Sequence, residues 1–180
     1  VHLTIAILII SSIFWLIKNI TRNKNKIFFK ISYNNLPFQI LILLVFIQIT
    51  FGAFVSGLDA GKIYQTWPMM GSSFIPNDLI MSNYKFFFDF KNHSLVQFYH
   101  RVLAYILILY VFMLTVFIYK KKLEKLYTPI KILLFFLFLQ ALLGIFTLIS
   151  DLNILIASSH QITSVLLVFS ALNLYYLRAK

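Results

Sequence analysis

The sequence predicts an all-α fold: a polytopic membrane protein with five transmembrane helices. Three observations predict it. Apolar residues make up 61% of the chain and charged residues 12%, with a mean hydropathy of +0.87, whereas a soluble domain is about 45–50% apolar and about 25% charged. The apolar residues fall into five separable runs, 1–17, 36–58, 95–119, 130–149 and 154–177. The basic residues collect in every second gap between them. A helix needs about 20 mostly apolar residues to cross the hydrocarbon core, and four of the runs meet that length. Backbone polar groups cannot stay unpaired in lipid, so such runs must be helical.

The first run begins at once with Val1. It has no basic region before it and no small-residue cleavage site after it, so it is not a signal peptide. We expect a helix of a chain that starts inside a larger protein. The gap that follows, 18–35, carries Lys18, Arg22, Lys24, Lys26 and Lys30 with no acid. After the second run comes a long loop, 59–94, with Asp59, Asp78 and Asp89 beside Lys62, Lys85 and Lys91. The third run opens near Arg101 and ends on Lys120, Lys121, Lys122 and Lys125, with Glu124 and then Lys131. A short turn at 150–153, containing Asp151, separates the fourth run from the fifth, and the tail carries Arg178 and Lys180. One side thus holds 12 of the 16 basic residues. The positive-inside rule puts 18–35 and 120–130 in the cytoplasm, and the N-terminus, 59–94 and 150–153 outside. The net charge of +11 is then a topology signal. The partner it implies is membrane lipid, not nucleic acid. With no cysteine, disulfides and thiolate metal sites are excluded.

An internal repeat runs through the chain. Residues 46–52 (FIQITFG) and 138–144 (FLQALLG) share Phe, Gln and Gly, and Asp59 and Asp151 each follow eleven residues after the Gln. Each copy precedes a helix with a histidine near its outer end. His2, His100 and His160 all fall early in helices running inward, and His93 lies in the loop just before the third run. An ionisable residue inside a span is costly and marks a functional site by default. Imidazole is a common metal ligand, haem iron takes axial histidine, and without cysteine or an intramembrane acid few other metal sites can be built. One turn after each helical histidine stands a small residue, Ala6, Ala104 or Ser164, on the same face, where a flat macrocycle needs clearance. The plainer alternative is that the histidines are hydrogen-bonded between helices, for instance to Gln97 or Ser159. Gln48 and Gln140 read as interhelical hydrogen-bond formers. Arg101 suits either lipid headgroups, by snorkelling, or a haem propionate. His93, beside Asn92, reads as a solvated loop residue.

Three stretches resemble a known family. They are 51–61 (FGAFVSGLDAG) with Tyr64, Thr66, Trp67, Pro68 and Met69; Asn92 with 96–105 (VQFYHRVLAY); and 140–148 (QALLGIFTL) with 157–161 (ASSHQ). Together they resemble the haem A synthase family (Cox15/CtaA), in its mitochondrial and alphaproteobacterial branch, over essentially the whole chain. The resemblance implies a pseudo-symmetric eight-helix fold of two four-helix halves, matched here from the fourth helix onward. It implies oxidation of a ring methyl of haem O to a formyl group, giving haem A for cytochrome c oxidase. His100 and His160 match the C-terminal histidine pair, implying ligands to the iron of a haem b cofactor. His2 matches one of the N-terminal pair at the substrate haem, implying a catalytic role and a second iron contact. The partner of His2 and the family's acidic residue of the second helix are absent. So is the outer-loop cysteine pair of some bacterial members.

The expected organisation is 1–35 as the last helix of the N-terminal half plus a cytoplasmic linker, and 36–180 as a four-helix haem-binding bundle with outer loop 59–94. The implied partners are haem O and lipid, with haem O synthase, oxidase assembly factors or a second copy as candidates. The implied site is the bacterial cytoplasmic membrane, or the mitochondrial inner membrane for an organellar protein. The rival expectation is a non-enzymatic bis-histidine b-type electron carrier; another is a small transporter or assembly factor with free histidines. The loop separates them, because an electron carrier has no evident need of it. Gly57, Gly61, Pro68 and Gly71 are turn formers and Trp67, Met69 and Met70 suit an interface, so 58–75 is expected to be ordered as a lid.

Overall fold

A computed structural model of the chain describes residues 2–28, 30, 32–80 and 88–179. Val1, Lys85 and Lys180, used above to read the start of the chain and the charge pattern, lie outside the described residues. Among the described residues five helices are long and apolar enough to cross a membrane: α1 (His2–Thr21), α2 (Leu36–Gly57), α4 (His93–Lys120), α5 (Tyr127–Ile149) and α6 (Ile154–Arg178). A short helix, α3 (Asn77–Ile80), lies in the long loop. The protein is a multi-pass, all-helical integral membrane protein, as the five runs predict.

Local signals explain the boundaries. Pro37 opens α2 in its first turn, where its missing N–H is not needed. Asn92 caps α4 and Asn153 caps α6: each side-chain oxygen accepts a hydrogen bond from a first-turn N–H, Leu95 at 2.9 Å and Leu155 at 3.0 Å. The Asn92 cap starts α4 two residues before the predicted run, so His93, expected in the loop, is its first helical residue. Lys18, Lys120 and Arg178 sit in the last turns of α1, α4 and α6, where the helix dipole favours positive charge. α2 and α5 stop in the same way, just before an aspartate in the left-handed region, Asp59 (φ 53°) and Asp151 (φ 57°).

α5 packs along α6 and α2 along α4; the α2–α6 contact joins the two pairs, and α1 lies on α6 and α2. The core concentrates at the lysine-rich end, where Phe38, Leu41, Val45, Val111, Ile118, Ile130, Leu133, Leu172 and Tyr175 are buried. Trp15 of α1 sits there among Phe28, Tyr175 and Tyr176, with ring centroids 4.8–5.3 Å away. The following linker is tied to the same place. Trp15 Nε1 donates to Lys26 O at 2.9 Å, Tyr175 Oη donates to Phe28 O, and Lys26 Nζ donates to the Tyr176 and Ala179 carbonyls at the end of α6.

Toward the other end α2, α5 and α6 bury less, while α4 and the loop keep Leu95, Val96, Gln97, Arg101 and Met70 buried. No residue of α5 beyond Leu137, of α6 before Leu167 or of α2 beyond Ile49 is fully buried. Phe112 and Met113 on α4, Phe135 and Phe138 on α5 and Leu8, Ile9 and Ile13 on α1 are exposed, as expected where lipid is the solvent.

Candidate functional site

The repeat read from the sequence builds one structural unit twice. In each copy a histidine rests on the neighbouring helix at its glutamine and glycine. Gln48 on α2 donates its side-chain amide to His100 O at 3.1 Å, and the same nitrogen lies 3.2 Å from His100 Nδ1. Gln140 on α5 donates to His160 O at 3.0 Å and lies 3.3 Å from His160 Nε2. One turn further on come the glycines. A Cβ on Gly52 would sit 3.2 Å from His100 Cε1, and one on Gly144 would sit 3.0 Å from His160 Cε1. Both rings are half-buried.

These partners differ from those expected for hydrogen-bonded histidines. Gln97 instead donates to Tyr64 O at 2.9 Å, and Ser159 to Leu155 O at 2.8 Å within its own helix. Gln48 and Gln140 are interhelical hydrogen-bond formers, as expected, but their target is the histidines, which the sequence reading missed. The signal was present: Gln and Gly four residues apart share a helix face, twice, each copy ahead of a histidine-bearing helix. The clearance attributed to Ala104 and Ser164 is supplied at the rings by Gly52 and Gly144 from across the helix pair. His2 is exposed in the first turn of α1, and His93 is exposed at the start of α4.

Arg101 does not snorkel to headgroups. It is buried, and its guanidinium donates to Tyr64 O at 2.9 Å and Met69 O at 3.3 Å, both in the loop, with Nε left unpartnered. The loop it holds is built. Thr66 Oγ1 donates to Met69 O at 2.8 Å and accepts from Gly71 N at 2.9 Å, and Met70 N bonds Ser73 O at 2.8 Å. Gly71 has φ +74°, a conformation that favours glycine. Tyr64 Oη donates to Asp78 at 3.0 Å. Burial, and then this bond, raise the Tyr64 hydroxyl above its ordinary range. Of the apolar loop residues, Trp67 and Met69 are exposed, while Met70 is buried. The loop also reaches the second repeat: Gln65 Nε2 donates to Asp151 at 2.7 Å, and Gly61 packs against the Leu152 side chain.

The sequence aligns with known proteins along nearly its whole length. The COX15-CtaA family, described as cytochrome oxidase assembly proteins, matches residues 1–172. The chain belongs to the COX15-CtaA family. Its relatives include the heme A synthases of Pelagibacter ubique (strain HTCC1062), 38% identical over 98% of this chain and 51% of the relative, and of Wolbachia pipientis wMel, 41% identical over 83% of this chain and 41% of the relative. The heme A synthase of Rickettsia rickettsii (strain Sheila Smith) is 38% identical over 98% of this chain and 52% of the relative. The chain spans about half the length of the curated relatives it matches. Within this COX15-CtaA chain the aligned stretches include both repeat copies and the loop.

Proposed function

We propose that this chain is the haem-holding portion of a haem A synthase, with His100 and His160 as the two axial ligands of one haem b. The observation that carries the reading is the duplicated seat. Two imidazoles from equivalent helices are each wedged against a glycine and flanked by a glutamine. The donor set fits. Among the described residues no group of three or more histidines and acids is poised to hold a metal. Two imidazoles suffice for an iron whose other four positions a porphyrin fills.

Bound there, the haem would supply one-electron and oxygen chemistry. The protein's part is to hold and orient the ring and to keep water away. The 58–73 loop supports the enzyme over the bare electron carrier, because it closes over the α4 seat and reaches the α5–α6 turn through Gln65. We assign His2 to the substrate haem O, and Arg101, through its free Nε, to a haem propionate. We also place the histidine end on the outer face of the membrane, from the distribution of lysines, and take α1 with its linker to be the end of a preceding half.

The test is spectroscopic. His100→Ala and His160→Ala each abolish the six-coordinate, low-spin spectrum of haem b added to the purified chain, and His2→Ala leaves it intact. A spectrum that survives loss of either C-terminal histidine defeats the assignment.

A further inference from the structure

The contacts of His160 fix where its proton sits. Nδ1 lies 3.1 Å from the main-chain oxygen of Gln140, and Nε2 lies 3.3 Å from that residue's side-chain nitrogen. A carbonyl oxygen only accepts and an amide NH2 only donates. Nδ1 therefore carries the hydrogen, and Nε2 presents a lone pair. The amide is held in that sense by Thr163, whose hydroxyl donates to Gln140 Oε1 at 2.6 Å.

A helical carbonyl is seldom open to a side chain from another helix. The residue four positions later covers the turn that precedes it. Here that residue is Gly144, and a Cβ in its place would stand 3.0 Å from His160 Cε1. The same spacing recurs at Gln48 and Gly52, where a Cβ would stand 3.2 Å from His100 Cε1, but there the side-chain amide nitrogen faces the ring's Nδ1, at 3.2 Å, so the proton assignment is made for His160.

We propose that Gly144 is a positioning residue that bares the Gln140 main-chain carbonyl to the His160 Nδ1–H. The His160 ring is thereby kept in the tautomer whose Nε2 is free for iron, and the Gln140 amide covers that nitrogen until a metal takes it. The purpose of this arrangement rests on the axial-ligand reading above; the proton assignment does not. A fixed partner on the far ring nitrogen of a metal-bound histidine sets its orientation, and its loss typically costs about 10–100-fold in metal affinity or activity.

Nitrogen NMR of the full chain in nanodiscs, 15N-labelled at histidine and free of haem at pH 8, tests the assignment directly. The expected wild-type spectrum shows His160 protonated at Nδ1. Gly144→Ala moves the proton to Nε2 or mixes the two forms, and Gln140→Leu keeps it on Nδ1 because the acceptor is main-chain. A wild-type ring protonated at Nε2 overturns the proposal, whether or not the alanine variant folds. So does a folded Gly144→Ala chain with the wild-type tautomer. After loading with haem b, Gly144→Ala releases it about 10–100-fold faster. Gly57→Ala, which has no atom within 4 Å of the added Cβ, releases it at the wild-type rate; equal rates for all three chains count against the proposal. A wild-type chain with the expected tautomer but no six-coordinate haem spectrum overturns the ligand reading and leaves the proton assignment supported.

Discussion

The α2–α4 pair and the α5–α6 pair carry the same frame of glutamine, glycine, left-handed aspartate and histidine, yet they are finished differently. α5 and α6 are joined by a four-residue turn, 150–153, whereas α2 and α4 are separated by 35 residues, 58–92. The residue after the histidine follows that difference. Arg101 is buried and grips the loop, while Gln161 at the equivalent position is exposed. Three residues after the histidine the pairs diverge again. Thr163 satisfies Gln140 Oε1, but the matching residue is Leu103, and Gln48 Oε1 is buried with no partner. Even the aspartates differ, since Asp59 pairs with exposed Lys62 at 2.9 Å while Asp151 receives Gln65 from the other pair's loop. The duplication kept the histidine seat and changed what surrounds it. The seat is therefore the shared requirement, and the loop is a specialisation of one half.

Substitutions at matched positions test this contrast. Arg101→Met has the largest expected effect: two bonds from a buried cation are lost, each typically about 1.5–3 kcal/mol. The 58–73 loop then becomes open to limited proteolysis, whereas Gln161→Met, outside any such grip, stays within about 0.5 kcal/mol of wild type by thermal shift. Equal protease sensitivity of the two variants breaks the comparison. Thr163→Val makes the second seat resemble the first by stranding Gln140 Oε1, at a cost of about 1–3 kcal/mol. Leu103→Thr, the reverse change, recovers about 1 kcal/mol or less, and a destabilised Leu103→Thr would show that the seats are not equivalent at this position. Gln65→Ala cuts the tie between the halves and lowers stability by about 1 kcal/mol, with faster hydrogen exchange in the loop and at 150–153 together. If only the loop responds, the two regions are not coupled through Asp151.

The smallest effect concerns pH. The Tyr64 hydroxyl is raised, so its neutral, donating form is favoured in the fold. The stability it adds is full below the ordinary tyrosine value of about 10 and is lost as pH climbs through the raised value. Loop protection measured by proteolysis is flat from neutral pH to about 9 and falls only beyond 10. A fall nearer neutrality would place the anchor elsewhere.

The helices were legible because lipid imposes a single solution on long apolar runs. Their ends were less so, since a cap such as Asn92 adds residues that no hydropathy count assigns. The histidines stood out as ionisable groups in apolar surroundings. The glutamines and glycines that seat them were visible in the repeat, but pairing a residue on α2 with one on α4, some fifty positions later, requires the packing of helices that periodicity does not encode. Arg101 was undecidable for a related reason. A long side chain near an interface can turn outward or inward, and only the carbonyls of Tyr64 and Met69, brought close by the folded loop, decide the direction.

The gradient of packing along the bundle has a thermodynamic meaning. The end around Trp15, Phe38 and Tyr175 is held by buried side chains of α1, α2 and α6. At the opposite end burial shifts to α4 and the loop, and α5 and α6 bury least there. A ligand that binds only the native state stabilises it in proportion to RT ln(1 + [L]/Kd). On the proposed reading, a haem held by His100 and His160 would add that stabilisation where α5 and α6 bury least.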